Sequence, residues 1–86
     1  AKHYAENCRN SKIIFEKDAK LHCASGSRNC DVYFYGKASF TCGTGSKDTK
    51  FYSPYKQNLE YIAENAWSGC SFFHLDKHDN PTEVHF

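Results

Sequence analysis

The sequence predicts an α+β fold: a small disulfide-stapled two-layer α/β sandwich, with an antiparallel sheet packed by one main helix. Three observations predict it. They are five cysteines within 86 residues, one clear amphipathic helical segment, and short runs of Val, Ile, Tyr and Phe on either side of that segment.

A chain of 86 residues makes one domain, 1–86. Such a domain buries only about 60–65% of the surface its unfolded chain exposes. Its apolar core supplies only about 3–5 kcal/mol, and a disulfide adds about 2–4 kcal/mol. Cys8, Cys23, Cys30, Cys42 and Cys70 spread over the chain without a Cys-x-x-Cys pair. That spacing suits staples rather than a zinc knuckle, and staples persist outside the cytosol. The opening Ala1-Lys2-His3-Tyr4 has neither Met nor an apolar run, so the expected localisation is secreted, as a mature extracellular chain. No stretch approaches the roughly 20 apolar residues of a membrane-spanning helix.

Lys12 to Glu16 reads as a short strand, and Lys20 to Cys23 as its return. Ala24 to Asn29 is a polar loop. Cys30 to Phe34 and Ala38 to Cys42 read as two strands turning about Gly36-Lys37. That hairpin sets Cys30 opposite Cys42, within the Cβ spacing a disulfide needs, provided the register holds. Ser53-Pro54 opens the helix, with Ser53 as cap and Pro54 in the first turn. Tyr55, Leu59, Ile62, Ala63, Ala66 and Trp67 form its apolar face, and Gly69 ends it. Cys70 to Leu75, a turn over 76–80, and Thr82 to Phe86 complete the order βββ(β)-α-ββ. No repeat, low-complexity tract or long linker is read from the sequence.

The formal charge of +1 hides an asymmetry. Residues 1–56 carry ten Lys/Arg against five Asp/Glu, and residues 57–86 carry one against five. That density is below the basic stripe of a duplex nucleic-acid binder. Seven Phe, six Tyr and one Trp are more than solubility needs; they suit a small core, and an exposed subset would suit recognition.

Few groups suggest chemistry. Cys70, His74 and His78 recur at intervals of four, but zinc needs about four converging ligands, and no metal or other cofactor is expected. Gly43 to Lys47 lacks the spacing of a phosphate loop. His74, Glu83 and His85 on the last two strands form the alternative enzyme site, an acid–base set for RNA cleavage with Arg28 as phosphate clamp.

Several short motifs resemble the KP4-like fungal killer toxins. Asn7-Cys8-Arg9-Asn10-Ser11 is similar to their start, and Asp18 to Gly26 to their first central strand. Asp31 to Tyr35 is similar to the strand that follows. Leu59 and Ile62 through Ser68-Gly69-Cys70 resemble their apolar helix and its end. Pro81 to Phe86 resembles the terminal strand.

The resemblance implies a cystine-stapled sandwich with a Cys8–Cys70 bridge. It also implies action through an exposed basic region, here the loops bearing Arg28, Lys37 and Lys47. With Cys8–Cys70 and Cys30–Cys42 bridged, Cys23 is left as a free or intermolecular thiol. The expected function is therefore that of a secreted fungal toxin-like or effector protein, binding a target-cell or host component without catalysis. Its partner would be a protein receptor, channel or host protein, and its state a monomer or a Cys23-linked dimer. The alternative is a secreted ribonuclease-like protein, active or inert, that binds RNA.

Overall fold

The computed structural model describes residues 8–18, 24, 26–38, 42–65 and 69–85. Five strands and one helix follow the order β1 (Lys12–Phe15), β2 (Asp31–Phe34), β3 (Lys50–Ser53), α1 (Lys56–Asn65), β4 (Ser71–Leu75) and β5 (Pro81–Val84). They form a single sheet in the order β1-β2-β3-β4-β5. The first three pairings are parallel and only β4–β5 is antiparallel. The α+β class and the single main helix hold. The antiparallel sandwich does not.

The parallel strands wind as a solenoid. Lys12 registers with Asp31, Asp31 with Lys50 and Lys50 with Ser71, at offsets of 19, 19 and 21 residues. Isolated bridges carry the same register back through Arg9, Arg28 and Lys47. The far side of each coil stacks too: the Gly26 amide donates to the Thr44 carbonyl at 2.9 Å, and the Gly45 amide to that of Asn65 at 3.1 Å. The sequence thus contains a repeat of 19 residues, contrary to expectation. It is written in conformation as much as in residue type. Asn10, Asn29, Asp48 and Gly69 occupy one position of successive coils, and all have positive φ. Asn and Asp tolerate that left-handed region better than other residues with a Cβ.

Two inward-facing rungs build the core. Ile13, Val32, Phe51 and Phe72 form one, and Phe15, Phe34, Ser53 and His74 the other. Phe15 stacks on Phe34 at 5.0 Å, and Phe51 on Phe72 at 5.7 Å. Val32, Phe34 and Phe51 are fully buried, as are Leu59 and Ile62 of the helix. Each such side chain contributes about 1.5–3 kcal/mol. Helix α1 replaces the loop of the third coil and lays this apolar edge on β3 and β4.

The helix begins at Lys56, later than the expected first turn at Pro54. Ser53 still serves its entry, accepting from the Tyr55 amide at 3.1 Å while its own hydroxyl donates to the Phe34 carbonyl at 2.8 Å. Tyr55, assigned to the apolar face, is instead 48% exposed. Asn58 takes a buried position and ties the helix to the second coil, receiving the Ala38 amide and donating to the Gly36 carbonyl.

Among the described residues no disulfide is present: Cys8, Cys30, Cys42 and Cys70 are free thiols. The reasons are topological. β2 pairs with β1 and β3, so Cys30 never meets a returning strand, and Cys42 sits in a turn on the far side of the coil. Cys8 precedes β1 and Cys70 precedes β4, three strand spacings apart, or roughly 14 Å, whereas bridged Cα atoms lie about 4.4–6.8 Å apart.

The position before each strand shows what Cys30 does instead. Its thiol donates to the Arg28 carbonyl at 3.2 Å. The hydroxyls of Ser11 and Thr49, at the same position of neighbouring coils, donate to the carbonyls of Arg9 and Lys47 at 2.8 and 3.0 Å. Cysteine here does the work of serine. Cys23 lies outside the described residues, as do residues 39–41 of the expected second hairpin strand and Phe86 of the last. With the other four thiols free, the premise that made Cys23 the leftover cysteine fails, and the Cys23-linked dimer fails with it.

Candidate functional site

The winding that buries alternate strand residues sets the others on a flat outer face. Ile14, Tyr33, Tyr52 and Phe73 form its middle rung, in register from β1 to β4. Tyr33 stacks on Tyr52 at 4.3 Å with rings 8° from parallel, and Tyr52 on Phe73 at 4.9 Å and 16°. Tyr35 extends the cluster at 6.2 Å from Tyr33. Ile14 is 49% exposed. A rung of charge runs alongside, Lys12, Asp31 and Lys50, all exposed. The Lys12 ammonium lies 5.1 Å from the centre of the Tyr33 ring.

The geometry decides what this surface offers. Parallel rings less than 5 Å apart cover one another's faces, so the ladder presents edges and hydroxyls outward. Burial, then the carboxylate of Asp31, then Tyr33 raise the Tyr52 pKa. Burial, then Asp79 and Tyr33, do the same for Tyr35. Both hydroxyls therefore stay protonated at neutral pH and available as donors. Next to the charged rung lies a polar recess of about 440 Å³ edged by Asn10, Asn29 and Asp48. The Asn29 amide donates to the Asn10 side-chain oxygen at 2.7 Å, joining two coils.

A second concavity of about 490 Å³ opens between α1 and the β4–β5 hairpin. Glu60 and Glu64 form one wall, Cys70 the floor, and Glu83 to His85 the opposite rim. Burial pushes the Cys70 thiol up, and the thiol donates to the Ser46 carbonyl at 3.3 Å, so it is held away from the thiolate a nucleophile needs. Among the described residues no group of three or more His, Cys, Asp or Glu is placed to hold a metal ion.

The residues singled out from the sequence fall as follows. Arg28 and Lys47 are brought together by a cross-coil bridge. Arg28 spends its guanidinium on the Gly45 carbonyl at 2.8 Å, which makes it a tie between coils. Lys37 lies past the other end of β2, where its amide donates to Asp18 at 2.9 Å. Glu83 and His85 share the cleft rim. His74 registers with Thr82 and Glu83 with Phe73, so His74 and Glu83 project to opposite faces of the hairpin. The ladder was missed because Lys50–Ser53 was not recognised as a strand. The signal for it was the recurrence of Tyr33 as Tyr52, 19 residues on.

Comparison with protein-family models, curated proteins and solved structures finds no match. The killer-toxin resemblance receives no support from them, and the cystine frame it implied is absent.

Proposed function

We propose that this protein is a non-catalytic recognition module, a short solenoid whose outer sheet face binds a protein partner. The observation that carries this reading is the stacked ladder Tyr33–Tyr52–Phe73 on the outer face. Each ring is held by its neighbours, so little side-chain freedom is lost on binding. Rigid aromatic groups that combine apolar area with a hydroxyl are the usual anchors of protein interfaces. The adjacent Lys12, Asp31 and Lys50 supply alternating charge for orientation rather than a single-sign field.

The same geometry argues against the RNA-binding alternative. Single-stranded nucleic acid stacks its bases on open aromatic faces, and here the faces are turned to each other. Arg28, cast as the phosphate clamp, is engaged with backbone carbonyls.

Panning a random-peptide phage library on the immobilised protein tests the reading. Enriched peptides should bind a Tyr33→Ala/Tyr52→Ala variant about thirtyfold more weakly, the weakening that follows from losing roughly 2 kcal/mol of anchor contact. Peptides that bind the variant equally well, or tight binding of oligouridylate that the variant loses, would overturn it. Circular dichroism of the variant confirms that the coils remain folded.

A further inference from the structure

We infer that the open edge of β1 is a self-association surface, and that two copies of the chain join there in one antiparallel register centred on Ile14. The inference stands independently of the ladder's partner.

β1 is the terminal strand of the sheet, and among the described residues nothing pairs with its outer edge. Its burial is correspondingly incomplete. In β2 and β3 both inward positions are buried, whereas the corresponding Ile13 and Phe15 of β1 stay half-buried. The outward Ile14 is 49% exposed. Three consecutive apolar side chains at an unpaired edge form a template for another strand.

The backbone determines which residues are available. The Asp31 amide donates to the Ser11 carbonyl and the Tyr35 amide to that of Phe15, both at 2.9 Å. Odd-numbered residues of this stretch therefore turn their polar backbone groups towards β2. By alternation, Lys12, Ile14 and Glu16 turn theirs to the open edge. A two-fold axis perpendicular to the sheet keeps inner faces inner, so it pairs even residues with even ones.

Centred on Ile14, that axis pairs Ile14 with its own copy and Ile13 with Phe15 of the second chain. It also pairs Lys12 with Glu16 of the second chain, twice over. Every element of this register is complementary. The free amides and carbonyls are exchanged, the half-buried Ile13 and Phe15 cover each other, and the exposed charges at the two ends are opposite in sign. Centring on Ile13 instead sets Lys12 against Ile14 and leaves Glu16 without a cation. Parallel addition of a second copy sets Lys12 beside Lys12. Charge thus selects both the occupant's direction and its register.

Analytical ultracentrifugation of the whole chain over a concentration series decides the matter. The expected result is a reversible monomer–dimer equilibrium. Glu16→Lys should weaken it at least tenfold, since each end then opposes two lysines. The double swap Lys12→Glu/Glu16→Lys restores opposite pairing and should recover the dimer, which no general loss of folding or change of net charge reproduces. On dimer formation, the Ile14 amide should gain protection from hydrogen exchange and the Ile13 amide should not change. A chain that stays monomeric at millimolar concentration, or a dimer indifferent to both variants, overturns the inference. Because mass is read here and peptide affinity for the ladder, either proposal can fail alone.

Discussion

Replacing Cys30 with Ser tests whether its thiol is a hydrogen-bond donor in a repeated turn or half of a structural bridge. Cys30 is 2% exposed and donates to the Arg28 carbonyl at 3.2 Å. Serine loses the larger, more apolar sulfur, a cost of about 1 kcal/mol by analogy with one buried methylene. It gains a shorter and stronger hydrogen bond of the kind Ser11 and Thr49 already make, and a neutral bond contributes about 0.5–1.5 kcal/mol.

The two nearly cancel, so Cys30→Ser should change stability by less than about 1.5 kcal/mol. Removing a native disulfide from a domain of this size typically costs about 2–5 kcal/mol. Urea unfolding followed by circular dichroism, with and without a phosphine reductant, separates the cases. With a slope of about 1 kcal/mol/M for a small domain, the midpoint should move by less than about 1.5 M in the variant. It should not move in the wild type when reductant is added. A large drop on reduction alone would refute the thiol assignment. So would a loss above roughly 3 kcal/mol in the variant that reductant does not deepen.

Substitutions at three further positions probe the coil junctions and the β4–β5 turn. Gly43 has φ +75°, and a Cβ there would lie 2.8 Å from Ile62 Cγ2 and 3.1 Å from Phe51 Cζ, both in the buried core. Gly43→Ala should therefore cost about 2–4 kcal/mol by urea unfolding, combining left-handed strain with overpacking. A loss under about 1 kcal/mol would count against the packing of α1 described above. Asn58→Ala removes the Ala38, Gly36 and Ser53 bonds at 2.9, 2.8 and 3.0 Å and strands buried backbone groups, so about 2–4 kcal/mol should be lost. Asn58→Asp, which keeps the acceptor for Ala38 alone, should recover little of it. The Asp76 carboxylate accepts the amides of Asn80 and His78, which hold its pKa below the usual carboxylate range. A lowered folded value means that the turn's added stability is complete above the ordinary aspartate value and disappears as pH falls through the lower one. Amide exchange at His78 and Asn80, followed through acid pH, should show protection persisting below the ordinary aspartate titration, and Asp76→Asn should abolish that pH dependence.

Local features of the fold were legible because local forces determine them. The Ser53 cap and the Leu59–Ile62 spacing locate a helix from a few adjacent residues, and the 76–80 turn is marked by its Asp and Asn residues and by the Pro81 that follows. Strand direction is not local in this way. Cys30 to Phe34 has the composition of a strand in either orientation, and Gly36-Lys37 invites a hairpin that the chain does not make. The interval between β2 and β3 runs over 35–49, long enough for the crossover that parallel strands need. That length could be read only once Lys50–Ser53 was recognised as a strand, and four residues of which two are Lys and Ser give little alternation to recognise.

The information for the parallel register lies instead in comparing the chain with itself. Arg28-Asn29, Lys47-Asp48 and Arg9-Asn10 each place a cation before a residue suited to positive φ, and each precedes a strand by the same two steps. Type conservation within the repeat is loose because different positions need different physics. The rung before the strands requires a small donor, met by Ser, Cys and Thr. The inner rung requires apolar volume, met by Ile, Val and Phe. Asn10 recurs as Asn29 and Phe15 as Phe34, where positive φ and the core call for them; the outer rung repeats Tyr33 as Tyr52, and neither the core nor the turn needs tyrosine there. Identity retained where folding is indifferent is what directs the functional reading to that rung, just as the cysteine count, taken as a chemical signal, dissolves once each thiol is placed on its coil.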